Sequence, residues 1–234
     1  MALARSAAGP KRWWIVIASA AAFTTLAVGV QLGLLNTFDS IIRQWMRPDD
    51  EWGPAQIRTI YVVDGLRPGV VVSVLAAYTA AICVVRRSLR PGLFVGAVWL
   101  ITAALTVAVK IAMGRPDPHG VVGGHGGSFP SGHTISVVVC LGLAVLVAQP
   151  RLGRWMWIPL ALVGALMGTA LLVQGAHWST DVLGGGLLAI GVLTAASVQL
   201  APVVPGPDGR PSGRRSRSMK FRKAPRQRRQ LPTV

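Results

Sequence analysis

GLFVGAVWLITAALTVAVKIA, residues 92–112, carries no charge until Lys110, close to its end. A run of this kind supplies the roughly 20 apolar residues that an α-helix needs to cross the hydrocarbon of a bilayer. Comparable stretches cover residues 13–35, 68–85, 133–149, 155–175 and 182–201. Of the 234 residues, 52% are hydrophobic. They arrive in long blocks, which argues against a soluble protein with one core. The alternation of an outer-membrane barrel is absent, so the spans are read as helices. The first stretch is too long for an ordinary signal-peptide core and no clear cleavage site follows it, which makes it a retained anchor. The expected architecture is all-α: a polytopic membrane protein with six transmembrane helices.

Charge orients this arrangement. Basic residues near span ends favour the cytoplasmic side. Arg5, Lys11 and Arg12 precede the first span, Arg86, Arg87 and Arg90 join the second to the third, and Arg151 and Arg154 join the fourth to the fifth. With six spans these segments and the C-terminal tail share one side, so both termini are expected in the cytoplasm. Connections 36–67, 113–132 and 176–181 then face outward. The first is mixed, with Asp39, Asp49, Asp50, Glu51 and Asp64 against Arg43, Arg47, Arg58 and Arg67. Its apolar residues, among them Ile41, Ile42, Trp45 and Trp52, fit either a short helix lying at the head-group level or an ordinary packed loop.

The formal net charge of +16 is concentrated at the C-terminus: ten of the 24 Lys and Arg residues follow Pro205. The domain reading is a membrane domain over 1–203 and a disordered basic cytoplasmic tail over 204–234. That tail is expected to contact anionic lipid. No aromatic or folded module accompanies the charges, so nucleic acid is not an expected partner. Cys83 and Cys140 fall within apolar stretches and read as packing residues.

Chemistry is expected where the outward connections meet the spans. A polar group near lipid is costly, so those that remain there point to function. Lys110, His133, His177 and Asp181 all fall at such borders. Ser131 is a suitable N-cap for the fourth span, and Gly132 permits close backbone approach. The free N–H groups of that helix start form an anion site. Lys110 supplies a point charge and Arg115 a planar fork for two oxygens. His177, held by Asp181 through its other ring nitrogen, fits a nucleophile, and His133 fits a proton donor to a leaving alkoxide. Duller readings exist for each: Lys110 as a snorkelling lysine, Arg115 as a solvated loop charge, Ser131 as a cap alone. In the loop HGVVGGHGG, His119 and His125 read as solvated, with a lid over the site as the sharper alternative. A zinc site from His119, His125 and His133 lacks recognised ligand spacing, so no metal and no cofactor are expected.

Three motifs carry a resemblance. SFPSGHT contains Pro130-Ser131-Gly132-His133 intact. HWSTDVLGG holds His177 and Asp181. Lys110 and Pro118 fit a Lys spaced ahead of Arg-Pro, with Asp117 in the Arg position. Together they resemble the type 2 phosphatidic acid phosphatase superfamily, membrane lipid-phosphate phosphatases related to vanadium haloperoxidases. The family usually has Ser-Arg where this chain has Ala170 and Leu171. Both usual arginines are thus missing, and Arg115 is the expected substitute for the first. The resemblance implies a metal-independent phosphatase acting on a lipid-linked phosphomonoester or diphosphate through a phosphohistidine. With the topology above, its active site would face the extracytoplasmic side of the cell membrane. A phosphotransferase with the same intermediate and a degenerate protein that binds lipid phosphate without turnover are the alternatives.

Overall fold

The computed structural model describes residues 10–123, 126–149 and 153–200. The basic tail, His125, Arg5 and Arg151 lie outside the described residues, as does the side chain of Arg154. Eight α-helices follow one another among the described residues: α1 (Pro10–Gln31), α2 (Asn36–Met46), α3 (Pro54–Gly65), α4 (Pro68–Val85), α5 (Arg90–Met113), α6 (Gly132–Ala148), α7 (Trp157–Gln174) and α8 (Ser179–Leu200). No strand occurs among them.

Helix ends are set by residues whose backbone preferences are strong. Pro54 and Pro68 open α3 and α4, where a missing N–H costs nothing. Gly114 at φ 55° and Gly175 at φ 70° end α5 and α7 in the left-handed region, which L side chains rarely adopt. Ser131 caps α6, its hydroxyl accepting from the N–H of Thr134 at 3.4 Å.

Each of the six apolar stretches becomes a helix, with ends displaced by a few residues. Five segments are long and apolar enough to cross a bilayer: Arg12–Gln31, Pro54–Val85, Arg90–Met113, Trp157–Gln174 and Ser179–Gln199. The second runs α3 and α4 together, so it begins well before the expected residue 68. α6 is shorter, at 17 residues. It is also the most enclosed helix, packed by α4, α5, α7 and α8, with Val137, Val139, Leu143 and Leu146 fully buried. A helix sheathed by other helices has its surroundings set by protein rather than by lipid. α8 lies close against the start of α6 because it is glycine-rich there: a Cβ on Gly185 would fall 2.9 Å from the carbonyl oxygen of Ser131.

Connection 36–67 folds into two helices of different character. α2 turns Phe38, Ile41 and Trp45 outward and buries Asp39, the amphipathic pattern of a helix lying along an interface. α3 packs against α7.

Candidate active site

Ends of four helices, α5, α6, α7 and α8, converge on the site. Lys110 stands in the last turn of α5, the Gly114 turn delivers Arg115, Ser131 starts α6 beside His133, and the Gly175 turn delivers His177 just ahead of α8. Asp181 lies in the first turn of α8 rather than before it. At this N-terminus a carboxylate is favoured by the helix dipole, and it accepts the N–H of Trp178 at 2.9 Å.

The two histidines face one another. Their ring centroids are 6.3 Å apart with an interplanar angle of 68°. Nδ1 of His177 stands 3.3 Å from Oδ2 of Asp181. A carboxylate only accepts, so in the neutral imidazole Nδ1 carries the proton and Nε2 the lone pair. The main chain joins these elements as well, since the N–H of Ser131 donates to the carbonyl oxygen of Asp181 at 2.9 Å.

A cavity of about 560 Å³ opens beside the pair. Lys110, Gly132, His133 and His177 line its polar part, and Trp99, Ala103, Val107 and Ile135 line its apolar part along α5 and α6. Gly123 and Gly127 complete the wall, so the glycine-rich loop borders the cavity. Lys110 ties that loop down: Nζ donates to the carbonyl oxygens of Gly127 at 2.6 Å and Ser128 at 3.2 Å. An ammonium has three protons, so one stays free for the cavity. Gly127 adopts φ +136°, and a Cβ there would fall 2.9 Å from the backbone nitrogen of Arg115.

Arg115 sits elsewhere than a phosphate fork would. Nη1 donates to Oδ1 of Asp181 and to Oγ1 of Thr180, both at 2.7 Å. Nη2 donates to Oδ2 of Asp39 at 2.7 Å. Both terminal nitrogens are thereby engaged, and the guanidinium lies 5.4 Å from the ring centroid of Trp178. Arg115 backs the carboxylate of His177 instead of lining the cavity. Ser131 is likewise behind the wall, fully buried with its hydroxyl engaged by Thr134; Gly132 is the residue of that pair that lines the cavity.

The departures at the family's arginine positions have structural accounts. Asp117 closes the loop on itself, its Oδ1 accepting the N–H groups of His119 and Val121 at 2.9 Å each. Ala170 and Leu171 are buried in the core, at 2% and 0% exposure. His119 is exposed and reaches the Gly175 turn. No group of three or more His, Cys, Asp or Glu side chains arranged to hold a metal occurs among the described residues.

Sequence reasoning missed Asp39, Ser179 and Thr180. Asp39 is 1% exposed. Its Oδ1 accepts the N–H of Thr180 at 2.9 Å and the hydroxyl of Ser179, and its Oδ2 accepts the Thr180 hydroxyl at 2.6 Å. The available signal was an acid set among Phe38, Ile41 and Ile42, where an unpaired charge would be costly.

Apolar helices with a histidine pair enclosed at one end define an integral membrane protein with a sheltered polar site. Residues 91–203 match the model of the PAP2 superfamily. A similar solved structure is a transmembrane PAP2 type phosphatidylglycerolphosphate phosphatase from Bacillus subtilis. It has a TM-score of 0.67 and 19% identity, and the match covers 78% of this chain and 94% of that one. The likeness is one of fold. No curated protein matches the chain.

Proposed function

We propose that this protein is a membrane lipid-phosphate phosphatase that hydrolyses a phosphomonoester or diphosphate of a membrane lipid. The carrying observation is the pair of histidines 6.3 Å apart, centroid to centroid, at the polar end of an apolar cavity. Such a cavity suits a phosphate whose lipid tail follows the apolar walls. The match of residues 91–203 to the PAP2 superfamily supports the reaction class.

In this reading Lys110, the free N–H groups at the start of α6 and Gly132 hold the phosphate. Nε2 of His177 attacks phosphorus and forms an N–P bond as the bond to the lipid oxygen breaks. His133 gives its proton to that oxygen. It then takes a proton from water, which attacks phosphorus, breaks the N–P bond and frees phosphate. Asp181 stabilises the cationic phospho-imidazole. The scheme routes no step through a metal. Six spans, with α6 as the fourth, both termini in the cytoplasm and the site on the extracytoplasmic side of the cell membrane, complete the proposal. The basic distribution along the chain supports that orientation. The domain 1–203 would carry the activity, with 204–234 a basic tail against anionic lipid.

One observation favours a second reading, a protein that binds lipid phosphate without turnover. Both terminal nitrogens of Arg115 are paired and Leu171 is buried, so no guanidinium among the described residues lines the cavity. One lost oxyanion donor costs on the order of 3 kcal/mol of transition-state stabilisation. Free phosphate released from a panel of lipid phosphates in detergent, with wild type beside His177→Ala and His133→Ala, decides between them. Release by wild type well above both variants supports hydrolysis. Equal background release in all three supports binding alone, and release only with an added acceptor alcohol supports a phosphotransferase.

A further inference from the structure

Asp39 lies outside the segment that matches the superfamily model, yet it is bonded into the back of the histidine site. We propose that Asp39 is a positioning residue for His177, acting through Arg115 and Asp181. The proposal rests on the hydrolytic reading above.

Capping alone does not account for its contacts. A cap on α8 needs one acceptor, which Oδ1 supplies to the Thr180 N–H and the Ser179 hydroxyl. Asn, Ser or Thr would serve as well for that purpose. Oδ2 is directed to Arg115 at 2.7 Å, which in turn reaches Asp181 at 2.7 Å. All three charges are shielded, with side-chain exposures of 1%, 11% and 0%.

Charge balance gives this arrangement its consequence. Arg115 paired with Asp181 alone would neutralise the carboxylate that His177 needs. A second carboxylate on the other nitrogen leaves the three-residue cluster with one net negative charge beside Nδ1. It also draws the guanidinium to a fixed place between the two acids, which holds the Asp181 carboxylate and through it the imidazole. The phospho-imidazole is cationic, so this negative charge favours the intermediate over the resting site.

Asp39→Asn keeps the size and one acceptor while removing the charge. Asp39 does not line the substrate cavity, so kcat should fall about ten- to a hundredfold with KM within about twofold, as for other outer-shell partners. Arg115→Met added to Asp39→Asn cuts the same chain of contacts a second time, so the double variant should be about as active as the less active of the two single variants. Unchanged kcat in Asp39→Asn, or losses that multiply in the double variant as for independent sites, overturns the proposal. Ser179→Ala, which loosens the cap and leaves the Arg115 pair intact, should keep kcat within about twofold on the same outer-shell scale. A kcat loss there equal to that of Asp39→Asn would reduce Asp39 to a cap. Should Asp39→Asn fail to melt cooperatively in detergent, Arg115→Lys replaces it: a single ammonium lacks the planar two-nitrogen fork that fixes the spacing of the two carboxylates, and wild-type kcat in that variant overturns the proposal. His177→Ala runs alongside. If it is as active as wild type, the hydrolytic reading fails; if it is dead while Asp39→Asn is unaffected, only the role of Asp39 fails.

Discussion

The two histidines sit in opposite surroundings. His177 is backed by a closed set of partners: Asp181, then Arg115, then Asp39, with Thr180 joining the last two. His133 faces His177 and the cavity, with no hydrogen-bond partner among the described residues, and its neighbour Lys110 has one proton uncommitted. One side is fully determined before any ligand arrives. The other is left open for one. That division suits a reaction in which the attacking atom must be held rigidly while the proton donor adjusts to different leaving groups.

The contrast can be broken by substitution, beginning with the largest effect. His177→Ala should lower kcat about a thousandfold or more, since the other polar side chains on the closed side, Asp181, Asp39 and Thr180, are buried and engaged with Arg115. Phosphate release under single-turnover conditions measures this, and a fall of only a fewfold would end the claim that His177 attacks phosphorus. Leu171→Arg, which restores the family's usual residue, should destabilise the fold by several kcal/mol, because it places an unpaired charge at a fully buried position. Its melting temperature in detergent should drop sharply; an unshifted melt would mean that the core near α7 already has room for a guanidinium.

On the open side, Lys110→Met should reduce kcat/KM about a hundredfold, consistent with losing one charge-assisted hydrogen bond worth about 2–3 kcal/mol. Steady-state kinetics on a lipid phosphate tests it, and a rate within about twofold of wild type would return Lys110 to the role of a snorkelling anchor. The smallest effect is expected from Asp117→Ala, whose carboxylate only closes its own loop. Arg115→Ala should lower activity more than Asp117→Ala does. The reverse order in parallel assays would mean that the loop, rather than the charge cluster, governs the site.

The sequence made some of this plain and hid the rest. Six apolar blocks became six helices because an uncharged run of that length has few alternatives. His133, His177 and Asp181 came together because Ser131 and Gly175 mark where helices start and stop, and helix ends of alternate direction meet on one face. Arg115, read as a fork for phosphate, lies away from the cavity with both terminal nitrogens on Asp39, Thr180 and Asp181. The contact with Asp39 spans 76 residues, so no local pattern contains it. Asp117 stands in the Arg position of the motif, and the backbone N–H groups of His119 and Val121 account for it. A short helix was one of two readings of 36–67, and α2 takes it, with the acid inside and the aromatics outside.

α6 has a further consequence through its length. Its 17 residues span about 25 Å at 1.5 Å each, some 5 Å less than a typical hydrocarbon slab. With α6 as the fourth span of the proposal, the histidine at its first turn would lie in a shallow well, and a head group would have to dip beneath its neighbours to be cut, which would penalise bulky or rigidly attached polar caps.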